Sequence, residues 1–409
     1  MKQKREYAAL SVSKKAENSI ESGHPWIYDS EIFGENTAGC ADGALVDVFG
    51  RSGKYLGTGF YNHHSKIRIR INTRRAHDRF DEAFWERRLR WAWEYRKNVM
   101  GHDTESCRLI FGEADQFPGL TVDRFGEILV TQTLSLGIEQ RKGMLFPLLV
   151  RILREDGQNI RAIYERNDVS IRMREGLAPN KGFFPLEGET PPSSTVTVIT
   201  ENNIRYAVDF ENGQKTGFFL DQKYNRQAAA KLARGKKVLD CFTHTGSFAL
   251  NAAHGGAEHV HAVDISADAV AMARENARLN GLEGRMSFEE ANVFDLLPSL
   301  EKQGHPYDFI ILDPPAFTKS RQTVENAMRG YKEINLRAMK LLPRGGYLAT
   351  CSCSHFATDE LFREMLHSAA ADAGVSLRQI EARQQAPDHP ILWNVPETDY
   401  LKFYLFQTV

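Results

Sequence analysis

The 409-residue chain has no run of about 18 or more uncharged apolar residues, which argues against a membrane-spanning helix. Its amino-terminal stretch, MKQKREYAALSVSKK, is basic but lacks an apolar h-region, so secretion is not expected. Cysteine is sparse: Cys40, Cys107, Cys241, Cys351 and Cys353 are scattered, odd in number and without a CxxC pair. That pattern offers no disulfide framework and no zinc site; no metal is expected, and a reducing cytoplasm fits. Net charge is nearly absent too, -1 at pH 7, and gives no argument for a nucleic-acid partner by itself.

The distribution of charge says more than its sum. Residues 66–97 carry Lys66, Arg68, Arg70, Arg74, Arg75, Arg79, Arg87, Arg88, Arg90, Arg96 and Lys97 against few acids. Such a stripe can neutralise phosphates, or it can be an ordinary solvated surface. The length asks for two or three domains. Residues 1–75 read as short strands punctuated by glycine, and KIRIRIN alternates Ile67, Ile69 and Ile71 against Arg68 and Arg70. A small β-barrel with one basic face satisfies that pattern. Residues 76–190 mix a helix over 81–99, two strand-like stretches and a helix through GMLFPLLVRILRE, an α+β segment ending near the TPPSST turn.

From residue 191 a hairpin (TVIT, IRYAVDF) leads into strand–helix alternation. VLDCF, HAVDI, MSFEE, DFIILD and YLATCS are strand candidates, with amphipathic helices between them such as ADAVAMARENARLN. This predicts an α/β fold with a doubly wound, mainly parallel sheet. The chain ends in SLRQIEAR and YLKFYLFQ, a terminal antiparallel pair that dinucleotide dehydrogenases lack and Rossmann-like methyltransferases have.

Ligands of such sheets bind beyond the carboxyl ends of the strands. The first strand and turn, VLDCFTHTGSFAL, offer one glycine, Gly246, where a pyrophosphate would want G-x-G-x-x-G. S-adenosylmethionine carries no phosphate and fits this loop, for which Asp240, Phe242, Thr245 and Gly246 are the candidate lining. Asp264 lies eighteen positions after Gly246, at the end of the second strand, where an acid can accept from both ribose hydroxyls. Alone it could equally cap a helix. Ile265 follows it, and Asn292 and Val293 occupy the place where a side chain meets adenine.

Asp313, in DFIILDPPAF, is expected at the sheet's carboxyl edge beside the methyl donor, positioned for a reacting base; alone it could be a turn residue capping a loop. Methylases of exocyclic amines favour an aromatic residue directly after Asp/Asn-Pro-Pro; here Ala316 intervenes before Phe317. The fifth strand, GGYLATCSCSHF, places Cys351 and Cys353 two apart on one face near its carboxyl end. A thiolate there can attack C6 of a pyrimidine and make C5 nucleophilic. Either cysteine can equally be a small buried hydrophobe.

These residues resemble the bacterial large-subunit ribosomal RNA cytosine-5 methyltransferases built from a PUA domain, a central α+β domain and a Rossmann-like methyltransferase. The likeness spans nearly the whole chain, in GHPWIYDSEI, LIFGEADQFPGLTVDRFG, KTGFFLDQKYNR, VLDCFTHTGSF, DPPAF with RGYKEIN, CSCS and APDHP. It implies a PUA-like RNA-binding barrel over residues 1–75 and a methyltransferase domain over 191–409. S-adenosylmethionine is the implied cofactor, and 23S ribosomal RNA the implied partner, with Lys66, Arg68, Arg70, Arg74 and Arg75 on the RNA side. It also implies Cys353 as the nucleophile, because the family's thiol lies seven positions past the second glycine of the preceding turn, the spacing of Cys353 from Gly346. Phe219, Asp221 and Gln222 of GFFLDQ would lie over the cofactor entrance. The family commonly has an acid where this chain has Asn292, a departure at the adenine contact. The sequence leaves open the modified nucleotide, the assembly state of the RNA, and whether the protein is a homodimer. An RNA N-methyltransferase, a ribosome-assembly factor that binds S-adenosylmethionine, and a small-molecule methyltransferase are the alternatives.

Overall fold

The computed structural model describes residues 6–33, 39–304, 307–318 and 320–409. The first five residues of the basic amino-terminal stretch, and 34–38 of the expected barrel, lie outside the described residues. Two compact units emerge: residues 1–199, 208–220 and 387–398 form one, and 200–207, 221–386 and 399–409 form the other. Within the stretch 191–409 expected from the sequence to be the methyltransferase domain, residues 191–199, 208–220 and 387–398 fall in the first unit and the rest in the second.

In the first unit, β1 (Ala8–Val12), β2 (Trp26–Tyr28), β3 (Ile32–Phe33), β4 (Leu45–Phe49), β5 (Tyr55–Tyr61) and β6 (Ile67–Thr73) pair in the order β2-β6-β5-β4-β1-β3. Among the described residues β2 and β3 end this sheet, so the barrel is open. Its core gathers Leu10, Val12, Val46, Val48 and Ile69 from the alternating faces of the strands. A helix, α1 (Lys14–Glu21), interrupts what reads as strands alone. Ser13 caps it by accepting from the Ala16 amide at 3.2 Å, and Ala16 and Ile20, one turn apart, are buried.

The second sheet of this unit, β7 (Ser106–Phe111), β8 (Leu120–Phe125), β9 (Ile128–Thr133), β10 (Ala162–Asn167) and β11 (Asn180–Phe184), runs β11-β10-β9-β8-β7. Helix α2 (Glu82–Met100) and helix α4 (Lys142–Glu155) belong with it, and α3 (Leu136–Glu139) is a single turn. The segment 387–398 belongs here because Asp388 is fully buried among partners of this unit. Its carboxylate accepts from the Arg108 amide at 2.7 Å, and its carbonyl accepts from Arg96 at 2.9 Å.

A hairpin of β12 (Val196–Glu201) and β13 (Ile204–Asp209) turns on Asn202 and Asn203, whose φ angles of 55° and 63° match a type I′ turn. After α5 (Lys223–Ala230) the second unit lays down β14 (Lys237–Cys241), β15 (His259–Asp264), β16 (Met286–Glu290), β17 (Phe309–Leu312), β18 (Tyr347–Ser352), β19 (Leu377–Arg383) and β20 (Lys402–Thr408). They order β16-β15-β14-β17-β18-β20-β19. The first five are parallel; β20 inserts antiparallel between β18 and β19. Connecting helices are α6 (Ser247–His254), α7 (Ala267–Leu279), α8 (Val293–Gln303), α9 (Val324–Leu341) and α10 (Asp359–Ala373). Leu239, Ile310, Leu312 and Leu348 of the sheet pack with Leu297, Ile334 and Phe362 of α8, α9 and α10. No helix among the described residues is long and apolar enough to cross a membrane.

Candidate active site

Because β14 to β18 are parallel, their carboxyl ends share one edge of the sheet, and order reverses around β14. That edge carries Phe242–Gly246, Asp264, Asn292, Asp313 and Cys353. The loop after β14 is tightly wound: Phe242, His244 and Gly246 all have positive φ (64°, 51° and 83°). Only glycine tolerates the last position, since a Cβ there would stand 3.0 Å from the Ala273 Cβ. Asp240 anchors the loop through one carboxylate oxygen, which accepts from the Thr243 hydroxyl at 2.6 Å and the Ala249 amide at 2.9 Å. Burial, opposed by the Thr243 bond, pushes its pKa up to about 7.

Asp264 accepts from the His244 amide at 2.8 Å and the Ser266 amide at 3.0 Å, one bond to each oxygen. Each oxygen keeps acceptor capacity for a ribose hydroxyl. Capping of α7 falls to Ser266, which accepts from the Ala269 amide at 3.3 Å. Ile265 beside it is 68% exposed, an apolar surface suited to a flat ring. Asn292 caps α8, accepting from the Phe294 amide at 3.1 Å, so its carbonyl oxygen is engaged. Val293 is buried beneath. The loop fits S-adenosylmethionine on its own geometry. Among the described residues the Thr245 hydroxyl and one Asp240 oxygen are buried with no hydrogen-bond partner, Asp264 ends the second strand with acceptor capacity to spare, and the loop has no glycine-rich phosphate cradle.

Asp313 follows β17 and lies alongside Cys351, because Leu312 pairs with Thr350 in register. Burial raises its pKa to about 6, reinforced by the Asp221 charge and opposed by Arg226 and by hydrogen bonds from Gln222 and Cys351. Gln222, expected over the cofactor entrance, has both ends of its amide engaged. It donates to Asp313 at 3.0 Å and accepts from Asn225 at 2.7 Å. Cys351 is fully buried, and burial drives its thiol well above the ordinary range. Cys353, past the end of β18, is half-buried. Tyr331 of α9, from the RGYKEIN motif, braces that turn: its hydroxyl lies 2.9 Å from the Ser354 hydroxyl, and its ring lies 4.5 Å from Phe317. Lys402, which sequence reasoning passed over inside YLKFYLFQ, is also buried here. A charged residue at the head of the apolar run Phe403–Phe406 was the available signal.

In the first unit the arginine stripe divides. Arg70 is only 8% exposed and pairs with Glu175 at 2.8 Å and Glu113 at 3.3 Å. Arg96 is fully buried on Asp115 at 2.5 Å, and Arg88 donates to the carbonyls of Gln116 and Asn72. Arg68 is half-buried on Asp29 at 2.5 Å. Arg70 is thus a charge-compensated interior group, not part of an exposed basic face, while Lys66, Arg74 and Arg75 are exposed. Arg74, Arg75, Arg87, Lys54 and the 54%-exposed Trp91 line an open cleft of about 970 Å³. Phe219 lies in this unit, with the Lys215 ammonium 4.6 Å from its ring centroid. Asp42, His63 and His64 come close enough together at the surface to ligate a metal, a grouping that the cysteine pattern gave no reason to expect.

The doubly wound sheet with an inserted antiparallel strand, carrying an acid after its second strand and an Asp-Pro-Pro loop after its fourth, defines a Rossmann-like S-adenosylmethionine-dependent methyltransferase. A family model for S-adenosylmethionine-dependent methyltransferases matches residues 176–407, and one for PUA-like domains matches residues 10–74. The chain is 39% identical over 398 residues to ribosomal RNA large subunit methyltransferase I of Klebsiella pneumoniae (strain 342), covering 97% of each. It is 39% identical over 400 residues to the protein of that name in Salmonella newport (strain SL254), covering 97% of this chain and 96% of the relative. A candidate S-adenosylmethionine-dependent methyltransferase from Streptococcus mutans has the same fold, with a TM-score of 0.80 at 21% identity over 98% of this chain and 100% of that one. Another candidate methyltransferase, solved in complex with SAH, gives a TM-score of 0.82 at 22% identity over the same shares. The chain belongs to the S-adenosylmethionine-dependent methyltransferase family, in the branch that joins a PUA-like domain to it and includes ribosomal RNA large subunit methyltransferase I.

Proposed function

We propose that the protein methylates carbon 5 of a cytosine in large-subunit ribosomal RNA through a covalent adduct on Cys353. The substrate class follows its relatives, which are named for ribosomal RNA of the large subunit. The atom follows the thiols. Cys351 is 0% exposed beside Asp313, whereas Cys353 reaches the surface at the same edge, and that difference carries the reading. Only a thiol that a base can reach serves as its nucleophile.

S-adenosylmethionine, when bound, supplies an electrophilic methyl group; Asp264, Thr245, Gly246 and the exposed Ile265 are the residues to hold it. Phe242 and the Asn292 amide nitrogen complete that set, with Asp240 holding the loop. The Cys353 thiolate adds its electron pair to C6, forming the S–C6 bond and passing the C5–C6 π pair to C5. Asp313 starts from a pKa of about 6. A base stacked over it excludes water and raises it further, so the neutral acid donates to N3 as charge develops there. After C5 gains its methyl group, the C5 proton passes to solvent water, its bonding pair re-forms the C5–C6 double bond, the thiolate leaves, and N3 returns its proton to Asp313. A paired cytosine must first be flipped out. Lys66, Arg74 and Arg75, with the cleft at Trp91, are the groups to hold flanking RNA. Cys353→Ala is expected to abolish methyl transfer while S-adenosylmethionine still binds by calorimetry. Undiminished transfer by that variant would remove the covalent scheme.

A further inference from the structure

We propose that the Lys402 ammonium holds Cys353 as a thiolate, making Lys402 a positioning residue for the nucleophile. The inference rests on Cys353 being that nucleophile. Lys402 opens β20 and pairs antiparallel with Ser352, the last strand residue before Cys353. Its neighbours Leu401, Phe403, Tyr404 and Leu405 are buried, and Lys402 itself is 7% exposed. The ammonium donates to the Ser354 carbonyl at 2.7 Å and the Tyr400 carbonyl at 2.9 Å, so it grips the turn immediately past the thiol. Both acceptors are neutral. Burying an ammonium on neutral carbonyls is costly without an opposite charge nearby.

The lysine pKa falls to about 8 through burial, and the largest influence opposing that fall is the charge on Cys353, ahead of Asp399 and Asp359. Such coupling is mutual: a thiolate that favours the ammonium is favoured by it to the same degree. Tyr331 and Cys351 also feel the Cys353 charge; burial raises both, and both are ordinarily uncharged. In the reaction the ammonium keeps its proton. It favours the thiolate before addition to C6 and again as the thiolate is expelled.

The test follows iodoacetamide alkylation of Cys353 in the full chain against pH, read by peptide mass spectrometry. Wild type is expected to alkylate with a midpoint below the usual thiol value of about 8.5. Lys402→Gln keeps a donor for the carbonyls but loses the charge. Its midpoint should rise by about one unit or more, a roughly tenfold slower reaction at pH 7. Lys402→Arg should restore most of the shift, and kcat for methyl transfer should fall in Lys402→Gln with S-adenosylmethionine affinity unchanged. An unshifted midpoint in Lys402→Gln, or an equal loss in Lys402→Arg, would overturn the proposal. If Lys402→Gln does not fold, the wild-type profile alone decides, since an ordinary thiol midpoint also overturns it. Failure of the nucleophile reading shows separately, as methyl transfer that survives in Cys353→Ala.

Discussion

Asp240 sits at the bottom of the cofactor loop with one carboxylate oxygen bonded twice and the other without a partner among the described residues. Its pKa of about 7 lies above the ordinary aspartate value of 3.8, so the folded chain retains a proton that the unfolded chain has lost. Between those two values stability therefore falls as pH rises, and above pH 7 the deficit is constant. Asp240→Asn keeps the acceptor for Thr243 and Ala249 and removes the titration. The stability lost between pH 4 and 8, read from urea midpoints, should be smaller in the variant than in wild type by about 2–4 kcal/mol. An equal loss in both would show that the carboxyl is solvated. Asp264, Asp313 and Cys353 were legible at this scale because each ends a strand whose apolar run announces it. Lys402 and Tyr331 were not, since Lys402 reaches the Ser354 carbonyl from a strand 48 positions later and Tyr331 reaches the Ser354 hydroxyl from α9, 23 positions earlier. Arg70 was misread for a related reason: its partner Glu175 is 105 residues away, and alternation marks the face without saying what covers it.

At the scale of elements, the turn from β14 into α6 is the most constrained piece of the cofactor edge. Gly246→Val places a branched side chain at a φ of 83° and a Cβ 3.0 Å from that of Ala273. The left-handed conformation alone costs roughly 1–2 kcal/mol, with the clash in addition. S-adenosylmethionine affinity by calorimetry should drop at least tenfold while the chain stays folded; unchanged affinity would show that the loop relaxes freely. The strands and helices of the second unit were legible throughout, because buried parallel strands and amphipathic helices have different periods. Helix α1 was missed, although Ser13 followed by Ala16 and Ile20 carried a cap and a one-turn apolar repeat. Its eight residues were too few to outweigh the glycine-punctuated strands that follow.

At the scale of the whole molecule, the near-zero net charge conceals a division of arginines between interior and surface. Arg70, Arg88 and Arg96 serve the first unit's interior, whereas Arg74 and Arg75 face solvent. The double variant Arg74→Ala, Arg75→Ala should weaken binding of large-subunit ribosomal RNA similarly across sequences. Its log–log salt slope should shrink by about 0.7–0.9 for each phosphate that is no longer neutralised. An unaltered slope would move the RNA to another face. The two-unit division was only partly legible, because the return of residues 387–398 to the first unit depends on Asp388 meeting Arg96 and Arg108 nearly 300 positions earlier. Nucleoside mass spectrometry of ribosomal RNA methylated by the purified protein identifies the atom that receives the methyl group. The expected product is 5-methylcytosine, absent when Cys353→Ala replaces the wild type; an N-methylated base formed equally well by both would overturn the Cys353 mechanism.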